Sequence, residues 1–202
     1  QVQRPHVLTV RWEGHWKREM GVENLLDWCL KLGVPEIWIS SLAVENLKRT
    51  RREIQELIKV FIYGLKQLLK SDTLEKYQVR VNFVGNLSIL PKAMVNLMQE
   101  IMKRTAKYTK RVLNFLVGYS GHFEIVEAVR KIFEGTVRSG GVRITKRDIE
   151  KNLLVKNPVD LVIRTGGQSR LSNFLLWQTA YAEFYVTDKL WPDFSKRDFT
   201  KA

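Results

Sequence analysis

The sequence predicts an α/β fold: one domain over residues 1–202, with a mainly parallel central β-sheet flanked by helices. Three observations carry this. Short β-branched runs alternate with amphipathic stretches along most of the chain. Arginines, hydroxyls, glycines and amides gather just after those runs, where open parallel sheets bind ligands. A chain of 202 residues that is 45% apolar can bury one sizeable core, and no repeat, low-complexity tract or composition break divides it.

The elements follow in order. "HVLTV" (6–10) reads as the first strand, and a helix from about Trp16 to Leu32 stops at Gly33. "EIWISSL" (36–42) is the second strand. From about Thr50 to Lys70, Ile54, Leu57, Ile58, Phe61, Ile62, Leu65, Leu68 and Leu69 recur at three- and four-residue spacings, one apolar helix face with solvated lysines and arginines opposite. "QVRVNFVG" (78–85) is the third strand, and Pro91 opens a helix bearing Met94, Leu97, Met98, Ile101 and Met102, a core face before it is a pliable ligand wall. "RVLNFLVGYSG" (111–121) is a strand entering a glycine turn, followed by a helix with Ile125, Val126, Val129, Ile132 and Phe133. "RSGGVR" (138–143) is a loop, and "TKRDIEKNLL" (145–154) a short helix capped by Thr145. "DLVIR" (160–164) and "AEFYVTD" (182–188) supply the last strands.

Charge narrows the partners. Lys and Arg number 34 against 21 Asp and Glu, a formal +13, which favours anionic ligands: nucleic acid, anionic lipid or phosphorylated small molecules. No recognised nucleic-acid motif accompanies the charge, so no nucleic-acid partner is expected. The one cysteine, Cys29, excludes an intrachain disulfide and fits a reducing compartment and a buried apolar role. Neither a signal peptide nor a membrane-spanning run is visible, and a cytoplasmic protein, peripheral at a membrane, is expected.

The densest chemistry lies in "DLVIRTGGQSRLSNFLLWQTAYAEFYVTD" (160–188). Arg164 ends a strand, and Arg170 and Ser172 follow in the same loop. Two guanidinium forks and a hydroxyl suit a phosphate or diphosphate; the alternative is a structural pair tied to acids and carbonyls. Gly166 and Gly167 would let backbone approach a ligand. Glu183, among Phe174, Trp177, Tyr181, Phe184 and Tyr185, needs a partner: Mg²⁺ shared with a diphosphate, or a basic side chain. In "SSLAVENLKR" (40–49), Asn46 could steer a proton, hold a diphosphate oxygen or cap a helix, and Arg49 adds charge. His15, in "EGHWKRE", could donate to an anion at a helix start or be structural. His6 and His122 read as structural.

Taken together these stretches resemble the cis-prenyltransferases, the family of undecaprenyl and dehydrodolichyl diphosphate synthases. The resemblance rests on "DLVIRTGGQSRLSNFLLWQTAYAEFYVTDKLWPDF", on "HV" and "EGH", on Glu45-Asn46-x-Lys48-Arg49, on "VGN" (84–86) and on "GYSGHFEIVEAVRKI", in family order. It implies an enzyme, a transferase that condenses isopentenyl diphosphate onto an allylic diphosphate such as farnesyl diphosphate and releases pyrophosphate. It further implies that Arg164, Arg170 and Ser172 hold isopentenyl diphosphate, that Glu183 binds Mg²⁺, that Asn46 takes part in proton removal, and that His15, Glu45, Leu47 and Arg49 line the allylic site. A homodimer, an apolar tunnel walled by the helices at 16–32 and 50–70, and transient contact with a membrane surface complete the expectation.

The sequence departs from the family near its start. "HVLTV" passes directly to "RWEGH", with no counterpart of the family's Asp-Gly-Asn loop, and the chain ends at "FTKA". Ala43 and Val44 replace hydroxyl residues, "GYSG" replaces Asn-Tyr-Gly-Gly, and Arg18 stands where glycine is usual. Two expectations compete: a loop and tail that belong to the protein but not to this sequence, with an active enzyme, or a loop-deleted homologue that is a non-catalytic subunit or lipid-diphosphate binder.

Overall fold

Six strands form one sheet in the order β3-β4-β2-β1-β5-β6, and every neighbouring pair runs parallel. The computed structural model describes residues 7–11, 22–136 and 144–202. The strands are β1 Val7–Arg11, β2 Glu36–Ala43, β3 Val79–Val84, β4 Arg111–Tyr119, β5 Leu161–Arg164 and β6 Glu183–Val186. The helices between them are α1 Val22–Leu32, α2 Arg51–Lys70, α3 Thr73–Lys76, α4 Lys92–Thr105, α5 Gly121–Thr136, α6 Lys146–Asn152 and α7 Lys196–Lys201. The expected start of the first helix at Trp16, the loop 138–143, and His6 and His15 lie outside the described residues.

Local chemistry sets the helix starts. Thr50 Oγ1 accepts from the Glu53 amide, and the Glu53 carboxylate accepts from the Thr50 amide at 3.1 Å, a reciprocal cap that begins α2. The same box recurs with Thr145 and Asp148 at α6 and with Ser195 and Asp198 at α7. Those hydrogen bonds hold the carboxyls of Glu53 and Asp148 below their ordinary range.

The central strands are buried on both faces. From Leu113 to Tyr119 every residue of β4 is buried, as parallel sheets covered by helices require. Leu25, Leu26 and Cys29 of α1, Phe61 and Leu65 of α2, and Met94, Met98 and Ile101 of α4 join Ile37, Ile39, Val81 and Phe115 in one core. Cys29 behaves as a small hydrophobe, and burial pushes its thiol up to about 12. Met94 and Met98 are fully buried and act as core, not as a ligand wall.

Helix α2 changes character along its length. Phe61 and Leu65 are buried, whereas Ile54, Leu57 and Ile58 are only half buried. Its apolar face therefore opens toward the carboxyl end of the sheet, because the helix follows β2 directly. Among the described residues no tunnel is outlined there.

Candidate functional site

Parallel strands bring their carboxyl ends to one rim. Register places Arg11 of β1 level with Ser40 of β2 and Arg164 of β5. Val44–Lys48, a 3-10 turn, leaves the end of β2 at that rim. The segment after β5 returns across it as irregular turns, not as a helix.

Arg164 and Arg170 line the same small pocket, with Val162, Leu171, Phe174, Phe184 and Val186. Arg164 is 3% exposed, whereas Arg170 reaches solvent. One guanidinium is thus held in place by its surroundings and the other is open to a ligand. Between them the glycines do something other than expected. Gly166 (φ +84°) and Gly167 (φ +69°) take left-handed conformations, and their amides donate to the carbonyls of Lys189 and Thr187 at 2.8 and 2.9 Å. A Cβ on Gly167 would sit 2.9 Å from Asp188 Oδ1. The glycines therefore dock the loop against residues 187–189, and their amides are not left for a phosphate.

The next turn is strained. Ser172, Asn173 and Leu175 have φ of +48°, +64° and +43°, values that side chains other than Gly, Asn and Asp rarely adopt. Asn173 explains how the turn is held. Its Oδ1 accepts from the His122 amide at 2.9 Å, which fixes its nitrogen as the donor. That Nδ2 donates to Ser120 Oγ at 2.6 Å and to Glu45 Oε1 at 2.8 Å. The Gly121 amide donates to the Asn173 carbonyl at 2.8 Å, and a Cβ at Gly121 would lie 2.7 Å from Leu176 Cγ. Asn173 so joins three segments: the turn after β2, the end of β4 and the loop of Arg170 and Ser172. Sequence reasoning passed over it; an asparagine beside a serine in a turn was the available signal.

The remaining expected residues divide. Glu45 is exposed and held by Asn173. Asn46 Oδ1 accepts from the Ala43 amide at 3.1 Å, so it does cap the 3-10 turn, and Nδ2 is the group left to face a ligand. Leu47 is half buried against the core, and Arg49 is exposed at the start of α2. Glu45, Asn46 and Arg49 therefore share the rim with Arg164, Arg170 and Ser172. His122 is exposed at the start of α5, and only its backbone is tied to the rim.

Glu183 is the exception. It opens β6, is exposed, and pairs in register with Leu161, three residues before Arg164 meets Val186. Strand alternation turns Phe184 and Val186 to the pocket and Glu183 to the other face. Its neighbour Tyr181 is 96% exposed, so the apolar surroundings read from sequence do not form. Among the described residues no group of three His, Cys, Asp or Glu could hold a metal ion. Within one chain, then, Glu183 does not fit a Mg²⁺ at the arginine pocket.

Among the described residues the buried carboxylate is Glu124, at 1% exposure. It accepts from Tyr119 Oη at 2.5 Å, from the Val155 amide at 2.7 Å and from Gln178 Nε2 at 3.1 Å. Gln178 also donates to the Val155 carbonyl at 2.7 Å. Burial, reinforced by Glu124 alongside, pushes the Tyr119 phenol far up, so it remains a donor. This network anchors the segment after the strained turn to β4 and α5.

Comparison with known proteins gives this rim a lineage. The family model described as "Putative undecaprenyl diphosphate synthase" matches residues 5–202. The tritrans,polycis-undecaprenyl-diphosphate synthase (geranylgeranyl-diphosphate specific) of Pyrococcus horikoshii is 37% identical over 195 residues, 94% of this chain and 74% of that protein. The protein of the same name in Thermoplasma acidophilum is 36% identical over 196 residues, with 94% and 75% covered. Among solved structures, lavandulyl diphosphate synthase from Lavandula x intermedia in complex with dimethylallyl diphosphate superposes with a TM-score of 0.87 at 27% identity, covering 98% of this chain and 93% of that one. Sequence, sheet order and relatives agree: the chain belongs to the undecaprenyl diphosphate synthase family, the cis-prenyltransferases.

Proposed function

We propose that the chain is a cis-polyprenyl diphosphate synthase, a transferase that elongates an allylic diphosphate with isopentenyl diphosphate. The observation that carries the reading is the pair Arg164 and Arg170 on one pocket at the carboxyl rim, within a chain of this family. The C1–O bond of the allylic diphosphate breaks and its electron pair leaves with pyrophosphate. C1 bonds to C4 of isopentenyl diphosphate, and loss of the C2 proton of that unit forms the new cis double bond.

Arg164, Arg170 and Ser172 hold the diphosphate of isopentenyl diphosphate, where fixed guanidinium charge also favours the developing pyrophosphate. With Oδ1 of Asn46 taken by a backbone amide, its Nδ2 donates to a diphosphate oxygen and orients that group toward the proton being lost. Glu45, Leu47 and Arg49 line the allylic side. The half-buried Ile54, Leu57 and Ile58 of α2 offer an apolar wall to the growing tail. Mg²⁺ is the cation we infer for the diphosphates, held by phosphate oxygens; Glu183 serves it only in a dimer that brings a β6 edge to the pocket. The exposed Val126 and Val129 on α5, and Tyr181 and Leu190 beside the β6 edge, support such a homodimer. We infer transient contact with a membrane surface from the apolar product; among the described residues no helix is long and apolar enough to cross a membrane.

The test is elongation. The protein, Mg²⁺ and labelled isopentenyl diphosphate are incubated with geranylgeranyl or farnesyl diphosphate, because the archaeal relatives carry the former in their names. Long cis products and stoichiometric pyrophosphate are expected. Binding of both diphosphates without turnover would instead support a non-catalytic diphosphate binder.

A further inference from the structure

Much of the excess positive charge lies away from the diphosphate rim. Residues 66–80 and 103–111 carry nine Lys and Arg against two acids, Asp72 and Glu75. They meet at the amino end of the sheet, where β3 and β4 begin with Val79 level with Arg111. Arg104 donates to the Leu69 carbonyl, tying the ends of α4 and α2 together, and Arg111 donates to the Tyr77 carbonyl at 2.8 Å. Lys66, Lys70, Lys76, Lys103, Lys107 and Lys110 are all exposed. Among the described residues, none of these six appears in an ion pair.

Ordinary roles account for part of this. A cation in the last turn complements the dipole of α2 or α4, and a charge on the edge strand β3 discourages strand pairing. One or two residues suffice for each. The remaining lysines form a broad patch of separate point charges. Tyr63 stands on the same face of α2 as Lys66 and Lys70 and is 62% exposed, an amphipathic ring of the kind that seats at a lipid headgroup boundary. A nucleic-acid surface would call for several stacking rings. Here Tyr108 is buried and Tyr77 half buried, and each lies near a lysine ammonium.

We propose that this basic end docks on an anionic bilayer. The inference rests on the synthase reading for its purpose. Helix α2, with 20 residues, spans about 30 Å between the diphosphate rim and this end. A stretched undecaprenyl chain is longer than that. A tail that starts over the half-buried Ile54, Leu57 and Ile58 and outgrows the length of α2 has to reach lipid, and docking of the basic end brings a bilayer within its reach.

The test is flotation of the whole protein with vesicles of equimolar phosphatidylcholine and phosphatidylglycerol, against vesicles of phosphatidylcholine alone. Binding is expected only to the anionic vesicles and falls with added salt. Each lysine neutralised costs about fivefold in partition, so K103Q/K107Q/K110Q should lose on the order of a hundredfold. K146Q/K151Q on α6 should bind as the parent does. Pyrophosphate release in detergent with short soluble primers should be unaltered in the triple variant, which separates docking from catalysis. Equal partition of the triple variant and the parent, or a parent that binds random duplex DNA and not anionic vesicles, overturns the proposal. Failure of the parent to elongate any primer while still floating overturns the synthase reading and leaves the docking surface.

Discussion

Asn173 is the residue on which the two halves of the site depend, and its removal can be worked through. Asn173→Gly deletes three side-chain hydrogen bonds, to His122, Ser120 and Glu45, while tolerating φ +64°. At about 1 kcal/mol per bond, discounted for the exposed Glu45, the loss is about 2 kcal/mol of stability. Asn173→Ala deletes the same bonds and adds about 1 kcal/mol for a Cβ in the left-handed region. Thermal unfolding should therefore order the proteins parent, Gly, Ala. Activity is read where all three are folded. If Asn173 holds Ser172 and Glu45 to one geometry, both variants should lose tenfold or more in kcat/KM, because misplacement of a binding group by about 1 Å can cost a hundredfold. The coupling is checked by a double-mutant cycle with Glu45→Ala, where the pair should interact by about 1 kcal/mol or less. An Asn173→Gly protein with parental kcat/KM and lowered melting temperature would show that the link is structural only, and the reasoning fails.

Other perturbations separate the remaining parts. Arg170→Ala should raise KM for isopentenyl diphosphate by about tenfold to a hundredfold, the worth of charge-assisted hydrogen bonds to a diphosphate, with a smaller effect on the allylic primer; steady-state kinetics for each substrate checks it. Val126→Glu places a charge on the exposed face of α5 and should convert a dimer to monomer in light scattering, with the fold retained by circular dichroism. Asp198 has its carboxyl held well below the ordinary carboxylate range by hydrogen bonds from Lys189 and Ser195. The folded state thus favours the ionised form: its contribution is present above the unfolded value near 3.8 and lost as pH falls through the lower folded value. Asp198→Asn should flatten the acid limb of a melting-temperature profile below about pH 4 and leave its neutral plateau lower.

The sequence carries the fold where the signal is local. Thr50 and Thr145 announce their helices because a cap needs only residues three apart, and α2 and α6 begin where expected. Arg164 and Arg170 are legible because both follow one strand. The surroundings of Glu183 differ from those expected for an equally physical reason. Aromatics adjacent in sequence alternate across a strand, and whether a carboxylate shares their environment depends on which residue begins β6. Glu124 and Asn173 escaped because their partners lie far along the chain, at Val155, Gln178, Glu45 and His122, and no periodicity encodes that. Gly166 and Gly167 were recognised as glycines with a purpose, but the purpose is contact with residues 187–189.

The strained turn and the buried network bear on each other. Three residues at positive φ between Ser172 and Leu175 would relax toward ordinary backbone if only their own loop held them. They are fixed on one side by Asn173, on the rim, and on the other by Gln178, whose amide is locked onto Glu124 and the Val155 carbonyl in the interior. A carboxylate buried at Glu124 is tolerable only because Tyr119, Gln178 and a backbone amide all donate to it. Burial of Glu124 is therefore tied to holding the loop of Arg170 and Ser172: loosening the loop removes a donor from Glu124. Such coupling favours a loop that is either fully seated or released. It gives the backbone around Ser172 a defined position before any ligand arrives, which is what the proposed diphosphate site requires.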